Sequence, residues 1–319
     1  MKHSFTFGLA LLLPLLQPML AIADKAMPDT TLTGHTSSVI ALAFSPDGTR
    51  LASAADDGLF KIWDLSTKKE VFSLDGVLHN RNQVRFSPDG QTVIRLGTQN
   101  NVLVIDAKSG KAKPPISITG LPGGPAALDL SPDGKTVAIV GRSTLRFYDL
   151  AGSAMKASYE VHKLYAVTAV AFSHDGSRVA TASTDNSAMV IDIATAKVVG
   201  SFNLELKGDA VLFSRDNKTL ITNSTDQIIR SFDIASGQSQ KLLEKNVSFL
   251  TIDLSRDGKS LVLGGTGRAP WLLSLADGKL TDAAYDSEDL TRSAALSPDG
   301  KWLAGGGNGG SIFLWKVAN

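Results

Sequence analysis

His35, Ser53 and Asp57 lie within one short stretch of the chain, and their types are those of a nucleophile, a general base and an orienting acid. Acyl transfer with that set also needs preorganised donors for an oxyanion. No glycine-rich nucleophile turn surrounds Ser53 to supply them. Metal chemistry has less to work with. The chain has no cysteine, and outside the first 23 residues its histidines are His35, His79, His162 and His174, which fall in separate segments with no ligand-like spacing. The stretch Gly305-Gly306-Gly307-Asn308-Gly309-Gly310 has the composition of a phosphate loop. It lacks the following Lys-Ser/Thr and helix that would make it one, and it reads as a flexible turn. No metal and no cofactor is expected.

These residues sit in a pattern that repeats. The turn Ser45-Pro46-Asp47-Gly48 recurs from Ser87, Ser131, Ser173, Ser214, Ser255 and Ser297, at spacings of 42, 44, 42, 41, 41 and 42 residues. Gly supplies φ > 0 and Asp tolerates tight turns. The recurring Asp could suggest Ca²⁺, but one carboxylate per repeat makes no dense acidic loop. After each turn come short segments suited to strands, such as Arg50 to Ser53 and Leu59 to Leu65, separated by a second Asp57-Gly58 turn. Seven units of about 40–45 residues with four strands each predict the blades of a β-propeller.

A second marker keeps step with the first: Ile62-Trp63-Asp64, Val104-Ile105-Asp106, Phe147-Tyr148-Asp149, Val190-Ile191-Asp192 and Ser231-Phe232-Asp233. Together with Gly34-His35, Leu51-Ala52-Ser53 and Asp57-Gly58, this pattern resembles the WD-repeat (WD40) family. The resemblance implies an all-β, seven-bladed propeller of four-stranded antiparallel blades. It also implies a structural role for Asp57, His35, Ser53 and Trp63 as a hydrogen-bond relay between strands rather than a catalytic set. Blade 4 keeps His162, Thr181 and Asp185, with Ile191 for the Trp. Blade 5 keeps Thr222 and Asp226 without the His, and blade 2 has Arg95 in place of the Ser. Those blades are expected to lean more on apolar packing.

The ends bear on closure and destination. The last unit has no fourth strand, whereas Asp29 to Thr33 is extended and unassigned. Thr30 to Thr33 is expected to pair antiparallel with Ile312 to Lys316, because a ring left open would expose two strand edges. Met1 to Ala23 has a basic start, an apolar run from Phe5 to Leu16 and an Ala21-Ile22-Ala23 cleavage pattern, the layout of a secretory signal peptide. The propeller is then residues 24–319, exported, and periplasmic if the host is Gram-negative. Without residues 1–23 the chain holds 31 basic and 31 acidic side chains, which argues against nucleic acid as the partner. No later segment is apolar enough to span a membrane.

The innermost strands carry one anomaly. Where a small or apolar residue is expected before the last position, the seven blades read Ala43, Arg85, Asp129, Ala171, Leu212, Asp253 and Ala295. Lone buried charges are costly. Arg85 and Asp129 fall in neighbouring blades, which suggests an inter-blade ion pair; a polar channel for a small ligand and simple solvation stay open. For partner binding, the loop rim offers His79 and Arg81 in blade 2, Lys163 and Tyr165 in blade 4, and Arg268 and Trp271 in blade 6. The expected function is a monomeric, non-enzymatic scaffold for a protein or peptide. The alternative is a small-ligand or enzymatic propeller of quinoprotein, lactonase or Tol type.

Overall fold

The computed structural model describes residues 27–76, 83–267, 269–282 and 289–317. Twenty-eight strands form seven four-stranded antiparallel sheets, and there is no helix among the described residues. Blade 1 is a meander of Val39–Phe44, Arg50–Ala55, Leu59–Asp64 and Lys69–Asp75, here called strands a to d from the channel outwards. The next five blades repeat that order, and neighbouring blades touch all the way round, blade 7 against blade 1 included.

The repeated turn explains its own residues. In blade 3 the Ser131 hydroxyl donates to Asp133 Oδ1 at 2.6 Å and accepts the Thr136 N–H at 2.9 Å, while Asp133 Oδ1 also takes the Lys135 N–H. Gly134 has φ +71°. In blade 5 Asn217 occupies that position at φ +59°, as the side chain that best tolerates it after glycine. The turns also seat on one another. A Cβ on Gly134 would meet Pro88 Cδ at 2.9 Å, and Pro298 of blade 7 reaches Gly48 of blade 1 in the same way. Where blade 4 has His174 instead of Pro, its N–H donates to Asn217 Oδ1 of blade 5 at 2.8 Å.

Packing is between blades. Ala41, Ala52, Ala54, Phe60 and Ile62 of blade 1 form one buried cluster with Val84, Val93 and Ile105 of blade 2. Alanines on the facing strands let two sheets approach closely. A sheet sandwiched on both faces is apolar on both faces, and strand b of blade 1 is buried from Leu51 to Ala55. No blade shelters its apolar surface alone, which is the energetic signature of a repeat array.

Blade 7 is closed by the other end of the chain. Thr30–Leu32 pairs antiparallel with Ile312–Lys316, with Thr30 opposite Leu314, Thr31 opposite Phe313 and Leu32 opposite Ile312. Leu32 is fully buried among Val39, Trp63, Ile312 and Leu314. The outer edges are handled differently. In blades 1 and 4 strand d carries a bulge that leaves Val71 and Val199 unpaired and pointing outward, and bulges disrupt an edge that could otherwise recruit another strand. Residues 1–23, whose sequence pattern is that of a signal peptide, lie outside the described residues.

Candidate functional site: relay, channel and loop rim

The relay residues of blade 1 meet in one chain of hydrogen bonds. His35 precedes strand a, Ser53 lies on strand b, Asp57 is in the b–c turn and Trp63 is on strand c. His35 Nδ1 is 2.9 Å from Asp57 Oδ2, His35 Nε2 is 2.8 Å from Ser53 Oγ, and the Trp63 indole N–H donates to Ser53 Oγ at 2.8 Å. The indole can only donate and an ionised carboxylate can only accept. The arrangement is therefore satisfied by Ser53 donating to Nε2 and a neutral His35 donating from Nδ1. Burial holds the His35 pKa below its ordinary value, against the pull of Asp57. Burial opposes ionisation of Asp57 too, but N–H donors from Thr36 and Leu59, with His35, outweigh it and lower its pKa. Ser53 is fully buried and its oxygen is engaged by Trp63, so a substrate carbonyl has no line of approach to it.

Other blades solve the same position with different side chains. In blade 4, His162 bonds Asp185 and Thr181, each at 2.9 Å. In blade 5 the Arg230 guanidinium pairs with Asp226 at 2.6 Å. In blade 2 the buried Arg95 donates to the carbonyls of Asp75 and Gly76 and lies over the Phe60 ring at 5.4 Å. Desolvation brings its pKa down to about 10. Blades 2 and 5 thus add an arginine contact to the apolar packing on which they were expected to lean more.

At the channel, Arg85 Nε donates to Asp129 Oδ1 at 2.9 Å, and Asp129 Oδ2 accepts the Phe172 N–H of blade 4 at 2.9 Å. One carboxylate thereby links blades 2, 3 and 4. The channel holds a cavity of about 600 Å³. Its mouth is lined by Asp56, Lys207, Asp209, Gln227 and Arg292, and its wall runs inward to Arg85 and Asp253. Desolvation by the surrounding protein pushes the Asp253 pKa up, with the Arg85 charge opposing. Among the described residues, no group of three or more His, Asp or Glu side chains could hold a metal ion, and no helix is long and apolar enough to cross a membrane.

The rim residues fare unequally. His79, Arg81 and Arg268 lie outside the described residues. Trp271 is only 6 % exposed; its ring meets Phe249 edge-on at 5.6 Å, with Lys245 over it. The expectation that Trp271 faces a partner is corrected: strand c of blade 6 starts at Trp271 itself, which turns the ring into the core. Lys163 and Tyr165 are exposed. Between them stands Leu164, 82 % exposed at φ +69°, with the Tyr165 N–H donating to the His162 carbonyl at 2.9 Å. His162, locked by Asp185 and Thr181, anchors this loop. Leu206, Leu250 and Leu290 are exposed on the same rim. Sequence reasoning missed all four leucines, since nothing local distinguishes an outward leucine from a core one.

Comparison with known proteins agrees with the geometry. The family described as "WD domain, G-beta repeat" matches residues 27–64, 154–192 and 286–316. The human protein "Angio-associated migratory cell protein" is 31% identical over 182 residues, covering 54% of this chain and 39% of its own. "Uncharacterized WD repeat-containing protein sll1491" of Synechocystis is 28% identical over 158 residues, 49% of this chain and 44% of that one. "Small ribosomal subunit protein RACK1z" of Arabidopsis thaliana is 35% identical over 82 residues, 25% of this chain and 24% of its own. The chain spans less than half the length of each of these relatives. It carries WD40 repeats and folds as a seven-bladed β-propeller.

Proposed function

We propose that this chain is an exported, non-enzymatic scaffold that binds a protein or peptide on the loop rim of blades 4 to 7. One observation carries the reading. Leu164, Tyr165, Leu206, Leu250 and Leu290 are all exposed on the side where the d–a loops meet the channel mouth. Among the described residues the other large exposed apolar side chains, Met27, Val71, Met155, Val198 and Val199, lie on outer strands or near the start of the chain, and none lies on the opposite turn face. Apolar residues gathered on one rim, bordered by Lys207, Asp209 and Arg292, suit a protein surface with a polar edge. Leu164 adds support because a leucine held at positive φ stores strain, and such strain concentrates at functional positions. Export rests on the signal-peptide pattern of residues 1–23, which gives the periplasm in a Gram-negative host. The charge balance of the remaining chain favours a protein partner over nucleic acid, with the propeller acting as a monomer.

Crosslinking followed by affinity purification from the native compartment tests the rim. A Leu164→Glu/Leu206→Glu double variant is expected to lose the partner recovered by the parent chain. Arg256→Glu, on the turn face, is expected to keep it. Loss with Arg256→Glu and retention with the leucine variant would move the site to the other face.

A further inference from the structure

The charged positions of the innermost strands stand at one level of the channel. Arg85 pairs with Ile94, Asp129 with Ala138 and Asp253 with Val262, the same register as Ala43 with Ala52 and Ala295 with Ala304. Asp129 is fully engaged, one oxygen by Arg85 and the other by the Phe172 N–H, and it does not line the cavity. Arg85 and Asp253 both do. Arg85 spends Nε on Asp129 and turns Nη1 to the Val84 carbonyl at 3.2 Å. Its Nη2 has no hydrogen-bond partner among the described residues, and the side chain is 40 % exposed to the channel. Asp253 Oδ1 accepts the Leu254 N–H at 2.8 Å, and Oδ2 likewise has no partner among the described residues. Blades 2 and 6 are separated by blades 7 and 1 on one side and by three blades on the other. The guanidinium and the carboxylate therefore stand on opposite sides of the axis.

The charge balance of this level narrows the chemistry. Two cations, Arg85 and Arg215 from the turn of blade 5, act on two carboxylates, Asp129 and Asp253, and Arg85 has the larger influence on Asp253. A ligand with net charge would upset that balance, whereas one with an anionic and a cationic end leaves it intact. Ile40, Leu42, Leu250 and Ile252 line the same cavity and suit an aliphatic body. A donor edge and a carboxylate oxygen without partners, on opposite sides of a mixed polar cavity that carries these aliphatic side chains, match a small molecule with complementary ends. We propose that the channel binds a small aliphatic zwitterion, a free amino acid or a short peptide, with its carboxylate on Arg85 Nη2 and its ammonium group on Asp253 Oδ2. Leu250 borders both this site and the rim, but Leu164, Leu206 and Leu290 do not line the cavity, and the proposal stands or falls without them.

The test is titration calorimetry near neutral pH with four probes: L-leucine, the dipeptide leucyl-leucine, 4-methylpentanoate and 3-methylbutan-1-amine. At least one zwitterion is expected to bind saturably, and about tenfold more tightly than the acid or the amine, as loss of one charge-assisted hydrogen bond predicts. Asp253→Asn keeps an oxygen for the Leu254 N–H and removes the charge; it is expected to weaken the zwitterion about tenfold and leave the acid within about twofold. A response by leucine but not the dipeptide identifies a free amino acid, and the reverse identifies a peptide. Absence of saturable binding by both zwitterions, equal binding of all four probes, or full affinity in Asp253→Asn overturns the proposal. The probe comparison on the parent chain decides the matter even if the variant does not fold.

Discussion

The Lys316 backbone N–H donates to Asp29 Oδ2 at 2.7 Å, a contact between residues 287 positions apart. It sits at the edge of the antiparallel pairing that finishes blade 7. Leu32 is the buried side chain of that pairing. Leu32→Ala is expected to destabilise the fold by about 2–4 kcal/mol, the usual range for a buried leucine truncated to alanine. Deletion of residues 27–33 is expected to cost more, since it also removes backbone hydrogen bonds. Thermal melting of both variants checks this, and an unchanged midpoint for the deletion would show that the ring does not need the strand.

The blade 1 relay makes a second prediction. His35→Ala removes one partner each from Ser53, which keeps Trp63, and from Asp57, which keeps the Thr36 and Leu59 N–H groups; it is expected to cost about 1–3 kcal/mol in urea unfolding. His162→Ala is expected to cost a similar amount through Asp185 and Thr181. If His35→Ala unfolds at the parent urea concentration, the relay has no structural role.

Stability should also depend on pH through His35 and His174, whose pKa values are both held below 6.5, mainly by burial. A lowered histidine pKa means that the unfolded chain takes up the proton first. Their contribution is complete above about pH 6.5 and declines as pH falls through that value towards the folded pKa values. A further decline is expected below about pH 4, because turn carboxylates such as Asp175, lowered to about 2 by bonds from Ser173 and Ser177, must then be protonated. Urea midpoints measured from pH 8 to pH 3 check both steps. In His35→Ala the step near pH 6.5 is expected to shrink; a flat profile in the parent chain would refute the burial argument.

Trp271→Ala is expected to cost about 3–5 kcal/mol, as for a large aromatic removed from a core. At equal folded fraction it should leave partner recovery unchanged. A loss of partner without a loss of stability would return Trp271 to the rim.

The sequence carried the architecture because the turn chemistry is local. Ser, Asp and Gly at fixed offsets are each required by a hydrogen bond or a positive φ, so their recurrence counts the blades and sets the strands between them. The boundaries of strands b and c in blade 1 needed adjustment by only a residue or two. Closure was legible because Asp29 to Thr33 had the only unassigned strand-like pattern beside an incomplete last blade. The site was less accessible. Histidine, serine, aspartate and tryptophan in blade 1 could be grouped only through the family resemblance, and the distances between them came from the structure. Arg95 was visible as a departure, but its bonds to two carbonyls of the preceding strand and loop depend on how that backbone returns. Which leucines face outward depends on neighbouring blades, which no single repeat encodes.

The pairing of residues 30–32 with 312–316 has a consequence for biosynthesis. A chain emerging from the ribosome makes its closing strand first and the edge that strand must meet last. Until the last hairpin emerges, Thr30–Leu32 has no strand to pair with and the newest blade has no neighbour on one side. Such unpaired edges recruit other strands, so the interval before the last hairpin emerges is when this protein most needs a chaperone.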